Sequence, residues 1–183
     1  MKGPNPNQGS RGGLNKRLIM RLREQVLLWS LALRNELPTR RPVQVQPLVW
    51  VGGVPTPRRW RVLQDAGVSR ALSVLAELKP PGWLSDPYNL LWLRVRDRVA
   101  PTLTQLEDGA DFIDNAIASG AGVLVFCGSG IGRAPTAYVA WRMRVSGSSP
   151  ESALNEVVRL RSIANPTQEQ QLQLRAWGRS LRP

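Results

Sequence analysis

The residues best suited to chemistry are the single cysteine, Cys127, and an arginine six positions later, Arg133, with three glycines between them. A cysteine thiolate is a strong nucleophile, and glycines allow the intervening backbone amides to turn toward a bound anion. An arginine can add a planar, two-pronged contact to the same anion. The spacing therefore predicts an anion-binding loop with a catalytic sulfur at its base. The positions expected to bind the anion are Gly128, Ser129, Gly130, Ile131, Gly132 and Arg133.

The sequence on either side of this loop predicts the elements that position it. Residues 122–126 form a continuous apolar run, rich in β-branched side chains and bounded by glycine, which is typical of a buried strand. From Arg133 onward the sequence favours a helix, because Pro135 is tolerated in a first helical turn. Such a helix would direct the positive end of its dipole at the anion.

Two other glycine-rich loops fit this stretch poorly. A dinucleotide-binding motif would need its third glycine where Arg133 stands, and no Walker A sequence occurs anywhere in the chain. We therefore interpret the loop as the site of a cysteine nucleophile.

Composition excludes several kinds of chemistry. The 183 residues include no histidine, which removes Ser-His-Asp catalysis and most zinc sites. We expect no metal and no cofactor. The single cysteine cannot form an internal disulfide. With no visible secretory signal and no apolar run of membrane-spanning length, we expect a cytoplasmic protein. The net charge of +12 favours anionic partners, but no nucleic-acid-binding motif is present, and we expect no nucleic acid partner.

The order of predicted elements indicates one α/β domain with an N-terminal helical extension. Residues 1–13 are rich in Gly, Pro, Asn and Ser and predict a disordered tail. Residues 14–42 predict a basic amphipathic helix followed by a linker. In residues 43–183, strands alternate with helices, and the first strand is expected at about residues 48–51. That alternation predicts a single domain with a twisted, largely parallel central sheet flanked by helices.

The predicted N-terminal helix has an apolar stripe and a basic first half. Residues 1–42 contain nine basic and two acidic side chains, so most of the net charge of +12 lies in this segment. We favour packing of the stripe on the domain, and the alternative is a weak contact of residues 14–37 with a membrane surface. The stripe consists of Leu14, Leu18, Leu22, Val26, Trp29 and Leu33.

The motif Cys127-x-x-Gly130-x-x-Arg133 resembles the signature loop of the cysteine-dependent protein tyrosine phosphatase superfamily. Its continuation into Ala134-Pro135 is similar to the dual-specificity branch, which includes plant glucan phosphatases. The resemblance implies a dual-specificity phosphatase-like domain that hydrolyses phosphate monoesters without a metal, through a phosphocysteine intermediate. It implies phosphotyrosine, phosphoserine and phosphothreonine in proteins as substrates. Further similar segments are residues 48–53, 63–75, 110–114 and 150–153.

The resemblance also implies a catalytic acid. Asp97 follows the predicted strand at residues 90–95, in a loop that should reach the same sheet edge as Cys127. Its position is similar to that of the family's general acid, which protonates the leaving oxygen. Cys127, Arg133 and Asp97 are therefore the three residues that we expect to be catalytic.

Two positions depart from the family pattern. Phe126 stands where the family usually has histidine, and Ala134 stands where it usually has serine or threonine. We expect a less favoured thiolate and a slower second step as a result. Two alternatives therefore stay open: a pseudophosphatase that binds phosphate without turnover, and a rhodanese-like sulfurtransferase. For the phosphatase we expect a monomer acting on a phosphorylated protein, with a glucan or a lipid as alternative substrates.

Overall fold

Five strands form one sheet in the computed structural model, which describes residues 10–84 and 89–182, with side chains from residue 16 onward. The spatial order of the strands is β1-β2-β5-β3-β4. Only β1 runs antiparallel to its neighbour, β2, and the other three pairings are parallel. The predicted α/β domain with a largely parallel sheet is confirmed. The strands are β1 (Val43–Gln46), β2 (Val49–Gly53), β3 (Val68–Val74), β4 (Leu90–Leu93) and β5 (Gly122–Cys127).

Helices cover both faces of this sheet. One face packs against α3 to α6, and the opposite face packs against α2 and the C-terminal end of α1. Four of the helices begin at a serine or threonine whose hydroxyl accepts a backbone N–H of the first turn, as helix N-caps do. The helices are α1 (Ser10–Arg34), α2 (Pro57–Asp65), α3 (Leu103–Ala118), α4 (Arg133–Ser146), α5 (Pro150–Leu160) and α6 (Gln168–Ser180).

Strand β5 lies at the centre of the sheet, between β2 and β3, and all of its residues are buried. Val123, Val125 and Cys127 belong to the core under α3 to α6, whereas Leu124 and Phe126 belong to the core on the opposite face. This alternation explains why the segment reads as a continuous apolar run, because both faces of the strand are covered. The strand therefore delivers Cys127 to the middle of the carboxyl edge of the sheet.

The prediction for the first strand was incomplete. Strand β2 corresponds to the predicted strand, but a further strand, β1, precedes it and pairs with it through a short hairpin. The sequence of β1 alternates valine with glutamine over only four residues, and that signal was too short to be recognised.

The N-terminal helix differs from its prediction in two respects. It begins at Ser10, inside the segment predicted to be a disordered tail, and residues 1–9 lie outside the described residues. The predicted stripe is also not the packing face, because Leu28, Ala32 and Asn35 are the buried residues of this segment. These three residues recur every three or four positions and so share one side of the helix. Only the last two turns of α1 therefore pack on the domain.

Candidate active site

The loop between β5 and α4 has the backbone geometry of an anion-binding loop. Gly130 has a φ of +68°, and a Cβ atom there would lie 2.3 Å from the carbonyl carbon of Gly52, so only glycine fits. The backbone N–H of Gly130 donates to Sγ of Cys127 at 3.3 Å. Cys127 is 2% exposed, and the α4 helix begins immediately after the loop, at Arg133. The sulfur therefore lies beneath a loop whose amide hydrogen points at it.

Arg133 is held in place on both sides of its guanidinium. Nη1 donates to Oε2 of Glu77 at 2.6 Å and to the carbonyl oxygen of Val95 at 2.8 Å. Nη2 lies 3.0 Å from Oδ1 of Asp97. The side chain of Arg133 is only 6% exposed, so these contacts leave it a single orientation.

Asp97 occupies the position that the sequence predicts for the acid. It lies in the loop after β4, its side chain is 70% exposed, and its carboxylate pairs with Arg133. The structure thus brings Cys127, Arg133 and Asp97 together in the wall of one cavity of about 570 Å³. Residues 165–168, 170 and 171, around the N-terminus of α6, also line this cavity.

The predicted anion-binding residues divide into two groups. The wall of the cavity includes Ser129, Ile131, Gly132 and Arg133. Gly130 directs its amide to the sulfur, and the carbonyl oxygen of Gly128 accepts a hydrogen bond from the buried side chain of Asn35.

Glu77 is a functional residue that sequence reasoning missed. Its Oε2 binds Arg133, and its Oε1 accepts the backbone N–H of Asp97 at 2.5 Å. Burial opposes ionisation of Glu77, but the hydrogen bond from Arg133 and those from backbone amides outweigh burial and hold the pKa of this carboxyl below its ordinary value. The ionised Glu77 therefore joins the arginine of the loop to the backbone that carries the acid. Glu77 follows β3 and lies far from Cys127 in the sequence, so no motif or spacing in the sequence indicated that it contacts Arg133.

Arg161 is a second residue that sequence reasoning missed. It is 2% exposed, and within the described part of the chain no carboxylate pairs with it. Its guanidinium donates instead to four backbone carbonyl oxygens, those of Gly130 at 2.8 Å, Ser129 at 3.1 Å, Arg41 at 2.6 Å and Arg40 at 3.1 Å. Two of these carbonyls belong to the catalytic loop, so Arg161 holds them away from the anion-binding side. The chain has many arginines, and no pattern singles out this one.

The buried charge of Arg161 also acts on the sulfur. Burial lowers the pKa of Arg161 to about 10, and the charge of Cys127 works in the opposite direction. Arg161 therefore remains a cation at neutral pH, and it attracts a negative charge on the sulfur of Cys127.

Asn35 attaches the end of α1 to the back of the catalytic loop. Its side-chain amide donates to the carbonyl oxygens of Gly128 at 2.9 Å and Val54 at 3.0 Å. A Cβ atom at Gly53 would lie 2.2 Å from Nδ2 of Asn35, so glycine at that position makes the approach possible. The N-terminal extension and the loop therefore share a buried hydrogen-bonded contact.

The comparison with known families decides the assignment. Residues 50–180 match the family described as dual specificity phosphatase, catalytic domain. The chain belongs to the dual-specificity phosphatase family. The resemblance of the Cys127-to-Pro135 motif to this branch of the superfamily is thus confirmed.

Relatives of this dual-specificity phosphatase domain include plant and animal enzymes. The chain is 34% identical over 134 residues to Dual specificity protein phosphatase 1B of Arabidopsis thaliana, covering 71% of this chain and 78% of that protein. It is 27% identical over 126 residues to Dual specificity protein phosphatase 1 of Homo sapiens, covering 68% of this chain. It spans only 34% of the length of the human relative.

Solved structures show the same fold. Human DUSP28 superposes with a TM-score of 0.69 at 25% identity, covering 78% of this chain and 95% of that one. PTPMT1 in complex with PI(5)P also superposes with a TM-score of 0.69, at 22% identity, covering 76% of this chain and 96% of that one.

The two departures from the dual-specificity phosphatase pattern are both buried. Phe126 is 0% exposed and packs in the core beneath α1 and α2, so an apolar ring replaces the family's imidazole. Ala134 is also 0% exposed, in the first turn of α4. The nearby hydroxyl of Thr136 donates to the carbonyl oxygen of Gly132 at 2.9 Å. Phe126 and Ala134 are both apolar, so neither side chain offers a hydrogen bond to the loop.

Proposed function

We propose that this dual-specificity phosphatase domain is a metal-independent enzyme that hydrolyses phosphate monoesters through a phosphocysteine intermediate. The observation that carries the proposal is the convergence of Cys127, Arg133 and Asp97 on one cavity. Phosphoryl transfer from an ester requires a nucleophile, an arginine that binds the phosphate oxygens and a carboxylic acid.

In the first step, the Cys127 thiolate attacks phosphorus in line with the ester oxygen. A sulfur–phosphorus bond forms as the phosphorus–oxygen bond breaks, and the charge of the transferring group spreads over three equatorial oxygens. Arg133 and the loop amides bind those oxygens, while Asp97 gives its proton to the leaving oxygen. Because Asp97 and a substrate phosphate both bind Arg133, the arriving phosphate displaces the Asp97 carboxylate toward the leaving group.

In the second step, water attacks the phosphocysteine and the thiolate departs, releasing inorganic phosphate. The Asp97 carboxylate, which has lost its proton in the first step, takes a proton from the water. Ala134 stands where the family usually has a hydroxyl, so that group cannot assist the departing sulfur. The sulfur is stabilised instead by the Gly130 amide and by the charge of Arg161. Hydrolysis of the phosphocysteine is therefore the slow step of the proposed cycle.

We propose phosphorylated proteins as the substrates, at phosphotyrosine, phosphoserine or phosphothreonine. The curated relatives are named as protein phosphatases. The structural neighbour PTPMT1 was solved with a phosphoinositide, which makes a lipid headgroup the alternative substrate. The loop positions Ser129 and Ile131 carry no charge, and this absence of lysine favours the protein substrate.

The test is turnover of a small aryl phosphate in the presence of a metal chelator. We expect wild-type turnover with a pre-steady-state burst, because the phosphocysteine accumulates when its hydrolysis is slow. Cys127→Ser and Arg133→Ala should abolish turnover, whereas Arg175→Ala, which removes an exposed arginine from α6, should leave it unchanged.

A panel of phosphorylated peptides, glucans, lipids and nucleotides then identifies the substrate class. If no member of the panel is turned over, while the wild type and Cys127→Ser both still bind phosphorylated ligands, the proposal of an enzyme is wrong. The protein would then be a pseudophosphatase that binds phosphate. Transfer of sulfur from thiosulfate to cyanide would instead establish the rhodanese-like alternative.

A further inference from the structure

Helix α1, the longest in the described part of the chain, turns its most apolar side to solvent. At about 100° per residue, six large apolar side chains fall within one stripe along the helix. Their exposed fractions range from 41% for Trp29 to 70% for Val26. We call this set the exposed stripe, and its members are Leu18, Ile19, Leu22, Val26, Trp29 and Leu33.

Apart from Trp29, whose ring centroid lies 5.4 Å from that of Trp83, the exposed stripe is separate from the side of α1 that packs on the domain. Leu28 and Ala32 are buried against the sheet face, and Asn35 reaches the catalytic loop from the same side. Just beyond the helix, Glu36 accepts hydrogen bonds from Arg59 at 2.8 Å and Thr56 at 2.6 Å. The C-terminal end of α1 is therefore fixed, and the stripe is presented outward from that attachment. Contiguous apolar surface of this kind usually marks a docking site.

Basic side chains border the exposed stripe on both sides. Lys16, Arg23 and Arg34 lie along one border, and Arg21 lies along the other. All four are exposed, and Glu24 is the only acidic residue within α1. An apolar stripe between two basic borders is complementary to a surface that is apolar inside and anionic at its rim. A second copy of this chain would instead place like charges against each other.

We propose that α1 binds the surface of an anionic phospholipid bilayer. The exposed stripe enters the boundary between head groups and acyl chains, and the basic borders contact the lipid phosphates. Because the apolar side chains of the stripe occupy one side of α1, the helix lies in the plane of the surface. No helix in the described residues is long and apolar enough to cross a bilayer. The proposal is independent of catalysis, because none of these side chains lines the catalytic cavity.

Vesicle flotation of the full chain tests the proposal. The probes are vesicles of phosphatidylcholine alone and vesicles of phosphatidylcholine with phosphatidylserine. We expect the wild type to float with the phosphatidylserine vesicles, and added salt to weaken that binding, because salt screens the charges. The double variant Leu22→Asp/Val26→Asp should bind these vesicles at least about tenfold more weakly, since two apolar side chains are lost and two negative charges are gained.

The matched control is Leu160→Asp/Leu172→Asp, which makes the same chemical change at leucines of α5 and α6 that are 50% and 53% exposed. It should bind vesicles like the wild type, and both double variants should keep the wild-type unfolding temperature. Arg21→Gln/Arg23→Gln should weaken binding to the anionic vesicles alone, with Arg175→Gln/Arg179→Gln as its control.

Three results would overturn the proposal. The first is a wild type that stays unbound with both kinds of vesicle or that binds them equally. The second is a stripe variant that floats as well as its control. The third is a wild-type dimer, seen by light scattering, that the stripe variant abolishes, because that would assign the stripe to a second copy.

Discussion

Oε2 of Glu77 lies 2.6 Å from Nη1 of Arg133, and the other oxygen of the same carboxylate accepts the backbone N–H of Asp97. One side chain from the end of β3 thus fixes both the arginine that should bind phosphate and the loop that should supply the acid. The orientation of both groups depends on a residue with no direct part in the proposed chemistry.

We expect Glu77→Gln to lower kcat/KM by roughly ten- to a hundredfold, because the variant loses one charge-assisted hydrogen bond in the site. A glutamine has one acceptor oxygen and one NH₂, so either Arg133 or the Asp97 amide would face a donor. Steady-state kinetics on an aryl phosphate measures the effect. Glu151→Gln, which alters an exposed pair with Arg175, is the control. Unchanged kinetics for Glu77→Gln would show that the ion pair does not position Arg133.

Arg161 should act on Cys127 through its charge and on the catalytic loop through the hydrogen bonds of its guanidinium. Because Cys127 is the only cysteine, its alkylation by iodoacetamide reports its reactivity without interference. We expect Arg161→Gln to slow alkylation about tenfold at neutral pH, since the variant removes a buried cation that attracts the negative charge on the sulfur. Arg161→Lys keeps the charge but cannot bind four carbonyls, so it should alkylate nearly normally while turnover falls. Equal alkylation rates for wild type and Arg161→Gln would exclude the electrostatic role.

Asp97→Asn should discriminate between leaving groups. An alkyl phosphate needs a proton on its departing oxygen, and we expect its turnover to fall about a hundredfold or more. An activated aryl phosphate leaves without that proton, so its turnover should fall far less. The rates on the two substrates are compared with those of Asp108→Asn, a change at an exposed aspartate of α3. Equal losses on both substrates would show that Asp97 does not act as the acid.

Acid should weaken the attachment of α1. Burial opposes ionisation of Glu36, but its hydrogen bonds from Arg59 and Thr56 outweigh burial and lower the pKa of this carboxyl below 4.5. A lowered pKa in the folded state stabilises the protein above the unfolded pKa, and that stabilisation is lost as the pH falls through the folded value. Glu36→Gln should therefore reduce the free energy of unfolding by about 1 kcal/mol at neutral pH, and this reduction should shrink as the pH falls through the folded-state pKa of Glu36. Denaturant titrations at a series of pH values measure the difference between the two proteins, and a difference that does not change with pH would contradict the assignment.

The catalytic loop could be predicted from the sequence because its geometry is local. Arg133 lies only six positions after Cys127, and the strand and helix on either side set the direction of both side chains. Asp97 could be predicted because parallel strands end at the same edge of a sheet, so the loop after β4 had to approach the loop after β5.

Only the tertiary structure showed what surrounds these three residues. Glu77 is 56 positions from Arg133, and Arg161 is 31 positions from Gly130. At such separations, no spacing in the sequence predicts either contact. Charged residues are common along the chain, and a buried one is distinguished by its partners, which periodicity does not reveal.

The N-terminal helix shows the same division most clearly. Its sequence determined that a helix forms and that it carries an apolar stripe between basic borders, because both properties follow from residue type and helical period. The sequence did not determine which side packs on the domain. That side is chosen by Asn35, whose amide must reach Gly128 and Val54, and this contact turns Leu28 and Ala32 inward. The most apolar side was left outside because two buried hydrogen bonds at one end of the helix set its rotation.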